Sequence, residues 1–175
     1  MNYGNIIYYD IANGPGIRTS LFVSGCRHHC KNCFNPDTWD FNYGKPFTKE
    51  EEFFILDSLT QKHIQGVTIL GGEPLEPENQ PAIAKLVKKI KENHPDKDIW
   101  LYTGCVYENL FKENNPYRTP YLKTILKNID VMVDGPYIDR LRNPLLAYRG
   151  SENQRILNIP ETIRKKSIVE AIPLQ

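Results

Sequence analysis

Apolar positions along the chain change their period in a way that separates strands from helices. Ile17 to Val23 is a strand-like run entered through Asn13-Gly14-Pro15-Gly16, and Val67 to Leu70, Ile99 to Tyr102 and Ile129 to Val133 are three more short, β-branched runs. Between them the spacing becomes helical. Thr48 with Glu51 forms a capping-box signature, after which Phe53, Leu56 and Leu59 recur at helical intervals. Pro77-Glu78 opens a second helix with the stripe Ala82, Ile83, Leu86, Val87 and Ile90, stopped at His94-Pro95. Tyr121, Leu122, Ile125 and Leu126 mark a short third helix. Gln154 to Ile159 reads as a fifth strand, and the tail after Pro160 fits either a helix or an edge strand.

Strands separated by helices predict parallel βαβ units wound by right-handed crossovers. About five such units are too few to close an eight-stranded barrel. The expected fold is therefore α/β, an incomplete (partial) parallel β/α barrel in preference to a flat doubly wound sheet. Either architecture places its site at the carboxyl ends of the strands.

Composition narrows the setting. A chain of 175 residues, 40% hydrophobic and 25% charged, is expected to form one domain over residues 1–175 with a sizeable core. Its 22 basic and 21 acidic residues leave a net charge of +1, which argues for no nucleic acid and no membrane among its partners. No apolar run approaches about 18 residues, and Met1-Asn2-Tyr3-Gly4-Asn5 begins neither a basic n-region nor an h-region, so a cytoplasmic protein is expected.

Three of the four cysteines fall within eight residues, Cys26-Arg27-His28-His29-Cys30-Lys31-Asn32-Cys33, directly after the first strand. In a reducing compartment such a C-x3-C-x2-C cluster reads as metal ligands rather than disulfides. Thiolates favour zinc or iron-sulfur clusters. A structural zinc needs a fourth ligand, which His28 or His29 would supply as Cys3His. A 4Fe-4S cluster held by three cysteines instead leaves one iron open. Cys105 lies far off in sequence and reads as a small buried hydrophobe. A second motif, Gly71-Gly72-Glu73-Pro74, follows the strand Val67 to Leu70. Its glycines let backbone approach a ligand, and Glu73 offers an acceptor for an ammonium.

The aromatic Phe34 directly after Cys33 completes a pattern that resembles the signature of the radical S-adenosylmethionine (SAM) superfamily. The resemblance implies a partial barrel of the radical SAM type in which Cys26, Cys30 and Cys33 hold a 4Fe-4S cluster and SAM chelates the open iron. It also implies that Asn32, Cys33 and Phe34 lie beside SAM, and that Gly71, Gly72 and Glu73 bind its methionyl end. No catalytic side chain is required, since such chemistry belongs to the cofactor.

Within that superfamily, Asn13-Gly14-Pro15-Gly16-Ile17-Arg18-Thr19, Leu21 to Cys26, Asn35-Pro36-Asp37-Thr38-Trp39, Val133-Asp134-Gly135 and Arg149 to Gln154 resemble the activating proteins of anaerobic (class III) ribonucleoside-triphosphate reductase. The resemblance covers roughly residues 3 to 160; Glu152 stands where a serine is common in that family. It implies an oxidoreductase that places a glycyl radical on the large subunit of the anaerobic ribonucleotide reductase, fed by a one-electron donor such as a flavodoxin or other reductase. The alternatives are another small radical SAM enzyme, such as a pyruvate formate-lyase activase or a deazaguanine synthase, or a Cys3His zinc-binding interaction module. Four residues carry two readings each. Arg18 is a core ion-pair partner or a contact to SAM or the partner protein, Asp134 a ligand contact or a turn cap, and Arg149 and Asn153 order the site or hold a surface turn.

Overall fold

The computed structural model describes residues 1–171. In chain order the elements are β1 (Asn2–Asp10), β2 (Ile17–Val23), β3 (Lys45–Pro46), α1 (Lys49–Ser58), β4 (Ile64–Gly71), α2 (Gln80–Asn93), β5 (Asp98–Tyr102), α3 (Leu122–Asn128), β6 (Val131–Asp134), β7 (Arg155–Asn158) and α4 (Ile159–Lys165). The strands form one mixed sheet of seven in the order β3-β1-β2-β4-β5-β6-β7. The fold is α/β.

The strands β2, β4, β5 and β6 are mutually parallel, and helices α1, α2 and α3 provide their crossovers. Both flanks reverse direction, since β1 and β7 run antiparallel to their inner neighbours. The parallel set thus holds four strands rather than about five. The chain leaves β6 at Asp134 and returns at Arg155 through irregular backbone with only a 3-10 turn at Asp139–Leu141. Without a helix to carry it across the sheet, it re-enters beside β6 from the same end.

Strand alternation sorts the core into two faces. On β5, Ile99 and Leu101 join Leu21, Ile69, Leu86, Ile90 and Ile125 beneath the helices, whereas Trp100 packs on the opposite face with Val133 and Ile156. That opposite face also buries Arg18 completely. Its guanidinium donates to Thr68 Oγ1 (2.7 Å) and Val67 O (3.0 Å), pairs with Asp98, and lies 5.6 Å over the Trp100 ring. Of the two readings for Arg18, the core ion pair is the one realised.

The capping box at Thr48 and Glu51 starts α1 as expected, but the helix buries Glu52, Ile55 and Ser58 and leaves Phe53 exposed. Polar contacts override the apolar spacing there: Glu52 is paired with Lys85 and Lys89, and Ser58 Oγ meets Thr19 Oγ1 at 2.8 Å. In α2 the stripe is Ile83, Ala84, Leu86, Val87 and Ile90, beginning at Gln80 rather than Pro77. The tail after Pro160 completes α4 and then makes a bridge from Glu170 to Leu157, so both readings of it are met in part; its last four residues lie outside the described part.

Candidate metal centre

The cysteine loop leaves β2 through Ser24 and Gly25. Gly25 has φ +95°, and a β-carbon there would come within 2.4 Å of the Phe41 ring. Its N–H donates to Thr38 O (2.8 Å) and the Cys26 N–H to Trp39 O (3.2 Å), so the 3-10 turn Pro36–Trp39 holds the start of the loop. Farther along, the Cys33 N–H closes a turn on Cys30 O (3.1 Å). Arg27 fastens the loop from outside, pairing with Glu76 and Glu78 beyond β4.

Three sulfur-bearing residues, Cys26, Cys30 and Cys33, line one cleft of about 770 Å³ together with Asn32, Phe34, Gly71 and Gly72. Such a volume suits a small-molecule site. The cleft sits at the carboxyl ends of β2, β4 and β5, where Tyr102, Thr103 and Gly104 add to its wall. Across from the cysteines stand residues of the β6–β7 connection, among them Tyr137, Asp139, Leu146, Tyr148 and Arg149. Asn32 bridges the two sides, its amide donating to Asp139 Oδ2 at 2.9 Å.

Glu73 is placed differently from its neighbours. Its side chain is fully buried and does not line the cleft. Oε1 accepts from the Leu75 N–H (2.8 Å), Oε2 from the Gly104 N–H (2.8 Å) and from His28 Nε2 (2.8 Å), and the Thr103 hydroxyl lies 2.9 and 3.0 Å from the two oxygens. The carboxylate is spent inside the protein. What the motif presents to the cleft is the backbone of Gly71 and Gly72. Gly72 also has a packing reason to be glycine, because an added β-carbon would lie 2.6 Å from Gly25 O and 2.8 Å from Thr38 O. The two motifs therefore cross backbone to backbone.

His28 stacks on Tyr117 (centroids 5.6 Å apart) and His29 on Trp39 (4.6 Å). Burial alone would lower the His28 pKa, but the hydrogen bond and charge of Glu73 outweigh it and leave the imidazole above its ordinary value. Among the described residues, the one set of three such side chains whose ligand atoms lie within 4.8 Å of one another is His28, Glu73 and Cys105, a set already joined by hydrogen bonding. The three motif cysteines do not converge on a point in this way. His28 lines the cleft beside the three cysteines, but its Nε2 is engaged by Glu73, and His29 is stacked on Trp39.

The donor chemistry fits a cluster. All three thiols are free, and burial pushes Cys26 up to about 12 and raises Cys30 as well. Thiols so placed ionise when a metal supplies the compensating positive charge. Cys105 is buried, its thiol pushed well above the ordinary range by burial.

The remaining candidates separate. Asp134 is buried and bound, accepting from the Tyr107 N–H (2.9 Å) and from Arg155 Nε (2.9 Å), so it caps and pairs rather than facing the cleft. Asn153 donates to Pro136 O (2.8 Å), and its Oδ1 has no partner among the described residues. Arg149 lines the cleft, donates to Gln154 O (2.8 Å) and has a buried Nε without a partner among the described residues. The wall residues Thr103 and Gly104 were not singled out by motif; their position directly after the strand Ile99 to Tyr102 was the available signal.

Comparison with known proteins agrees with this arrangement. A family described as "4Fe-4S single cluster domain" matches residues 12–157. The chain is 43% identical to the anaerobic ribonucleoside-triphosphate reductase-activating protein of Escherichia coli K12, over 88% of this chain and 96% of that protein. It is 41% identical to the protein of the same name from Vibrio cholerae (89% and 97% covered) and 40% identical to that of enterobacteria phage T4 (89% and 93%). A cysteine-lined cleft at the strand ends, a cluster-domain match over most of the chain and this degree of identity lead to one assignment: the chain belongs to the family of anaerobic ribonucleoside-triphosphate reductase-activating proteins, which carry a 4Fe-4S single cluster domain.

Proposed function

We propose that this protein activates an anaerobic ribonucleotide reductase by generating a glycyl radical on its large subunit, as a radical SAM enzyme acting in the cytoplasm. The observation that carries the reading is the meeting of Cys26, Cys30 and Cys33 with the Gly71-Gly72 backbone in one cleft at the strand ends. Family membership and the four parallel strands support it, with the sheet read as a partial β/α barrel and residues 1–175 as one radical SAM domain.

In this reading Cys26, Cys30 and Cys33 hold a 4Fe-4S cluster and leave one iron without a protein ligand. When bound, the cluster and SAM would supply one-electron reductive chemistry: an electron from a donor such as a flavodoxin would break the sulfonium C5'–S bond and release methionine, and the hydrogen atom taken from a backbone glycine of the reductase would leave in 5'-deoxyadenosine. The chain's own residues position and exclude. Gly71 and Gly72 bring bare backbone to the methionyl end of SAM, while Glu73 fixes that backbone from behind through Thr103 and Gly104. Asn32 and Phe34 would flank the cofactor on the cysteine side, with Arg149 in the lining on the side of the β6–β7 connection. Leu70, Tyr102 and Leu146 make parts of the lining apolar and keep water from the reacting centre. Phe34 at 78% and Leu145 at 92% exposure stand open near the mouth, where the reductase's glycine-bearing segment enters.

The test is to combine the reduced protein, SAM and the reductase without oxygen and record electron paramagnetic resonance. A glycyl-type doublet on the reductase is expected, lost when its acceptor glycine is replaced by Ala. Efficient SAM cleavage with no radical on the reductase would refute the reading and favour another small radical SAM enzyme.

A further inference from the structure

We infer that the groove between α3, α4 and the 3-10 turn Tyr107–Phe111 is a docking site for an acidic amphipathic helix of a partner protein. The groove encloses about 670 Å³ and is separate in its lining from the cysteine cleft. Its floor is apolar, built from Phe111, Leu122, Leu126, Ile163 and Ile168. Phe111 and Ile163 remain 49% and 43% exposed, so the fold leaves this surface bare rather than burying it.

Charge identifies the occupant. Arg118, Lys123, Lys127 and Lys166 stand around the floor, and none of them pairs with an acidic group among the described residues. The one carboxylate in the lining, Glu108, is already held by Arg155 at 2.7 Å. On the neighbouring α4 the cations are matched, as Arg164 and Lys165 are by Glu161. Since the whole chain carries a net charge of only +1, these cations are a local concentration rather than a reflection of overall composition. Unpaired cations around an apolar floor complement a segment with the reverse arrangement, apolar on one side and acidic along its edges.

Shape selects a helix. Lys123 and Lys127 lie one helical turn apart along α3, matching acidic residues spaced i, i+4 on a helix laid beside it. A recessed floor between helical walls accepts the apolar stripe of such a helix, the helix-in-groove mode, whereas a flat anionic surface would reach the rim alone. The proposal does not depend on the radical reading, and its test reads binding alone.

The probe is a fluorescein-labelled helical peptide of about 18 residues, leucine on one face and glutamate on its flanks, with a counterpart carrying lysine for glutamate. Anisotropy is measured with the full chain carrying its reconstituted cluster. Saturable binding of the acidic peptide is expected, weakening as salt rises. The paired change Lys123→Glu with Lys127→Glu should weaken it by roughly tenfold or more, and Ile163→Asp should do the same through the floor. Iron content and unfolding midpoint, measured on each variant, should stay at the parent values. Equal binding of the lysine peptide, or unchanged binding by both variants, would overturn the proposal. So would binding that appears only in a chain ending at Ala171, since the groove would then belong to the chain's own end. Self-association abolished by the lysine reversals would overturn it as well, assigning the groove to the exposed Glu50, Phe53, Phe54 and Asp57 face of α1 in a second copy.

Discussion

His28 Nε2 and Glu73 Oε2 meet at 2.8 Å, joining the middle of the cysteine loop to the end of β4 with the carboxylate fully removed from solvent. The same carboxylate gathers Leu75, Thr103 and Gly104, so three chain segments converge on it. Replacing Glu73 by Ala leaves buried donors without an acceptor and should cost about 3 kcal/mol or more, read as a lower urea midpoint. Glu73→Gln, which keeps one carbonyl acceptor, should cost less. A Glu73→Ala protein of unchanged stability that has lost only SAM affinity would show instead that the carboxylate reaches the cofactor.

Each of Cys26→Ala, Cys30→Ala and Cys33→Ala should abolish the 4Fe-4S cluster after anaerobic reconstitution, as measured by iron and acid-labile sulfide. Cys105→Ala should retain it, because that thiol sits outside the cleft lining. Stoichiometric zinc without sulfide restoring a functional protein would count against the cluster.

Gly72→Ala should lower iron content along with SAM binding. The new β-carbon would meet Gly25 O at 2.6 Å, so the strain passes straight into the backbone that precedes Cys26. An overpacking cost of about 1–3 kcal/mol is expected from such a contact. Full cluster loading with SAM affinity alone reduced would mean that the crossing yields freely and that the glycine serves the ligand only.

Arg18→Met should destabilise the fold by about 2–3 kcal/mol, because Thr68 Oγ1 and Val67 O lose a buried donor while Asp98, 27% exposed, can be rehydrated. Any holoprotein that folds should bind SAM with parent affinity, measured by equilibrium dialysis. A selective loss of SAM binding at parent stability would return Arg18 to the cofactor.

Asn32→Ala removes the one side-chain bond linking the cysteine loop to Asp139. Iron content should hold while SAM dissociates faster, and Asp139→Ala should reproduce the effect. If Asn32→Ala speeds release and Asp139→Ala does not, Asn32 acts on the cofactor directly rather than by tying the walls together.

The legible parts of the molecule are those governed by short-range pattern. The predicted strand at 17–23 coincides with β2 because an apolar run bounded by a glycine-rich turn leaves no competing period. Cys26, Cys30, Cys33, Gly71 and Gly72 line one cleft because each motif directly follows a strand, a relation that short-range sequence carries. By contrast β1 was not visible, since Gly4 and the largely exposed Asn5 to Tyr9 give no alternation and its pairing shifts register twice. The burial of Glu73 was hidden for another reason: its partners His28, Thr103 and Gly104 are distant in sequence, and only the folded sheet brings them near. The reversal of β7 depended on the absence of a helix after Asp134, where loop-rich sequence carries no period to read.

That reversal also divides the labour of the cleft. One wall is made by strand ends and the cysteine loop, locked by crossed backbones that tolerate little change. The other comes from the excursion between Asp134 and Arg155, anchored at both ends by the Asp134–Arg155 pair and otherwise free of the sheet's register. Its ties to the cysteine loop run through the Asp139 carboxylate, which holds the Asn32 amide at 2.9 Å, and through the Tyr137 backbone, which reaches the Cys30 thiol. The cysteine wall is thus fixed by crossed backbones and the facing wall by loop and side-chain contacts, so grafting this stretch from a relative with Tyr137 and Asp139 retained would test how far the second wall can change while iron content holds.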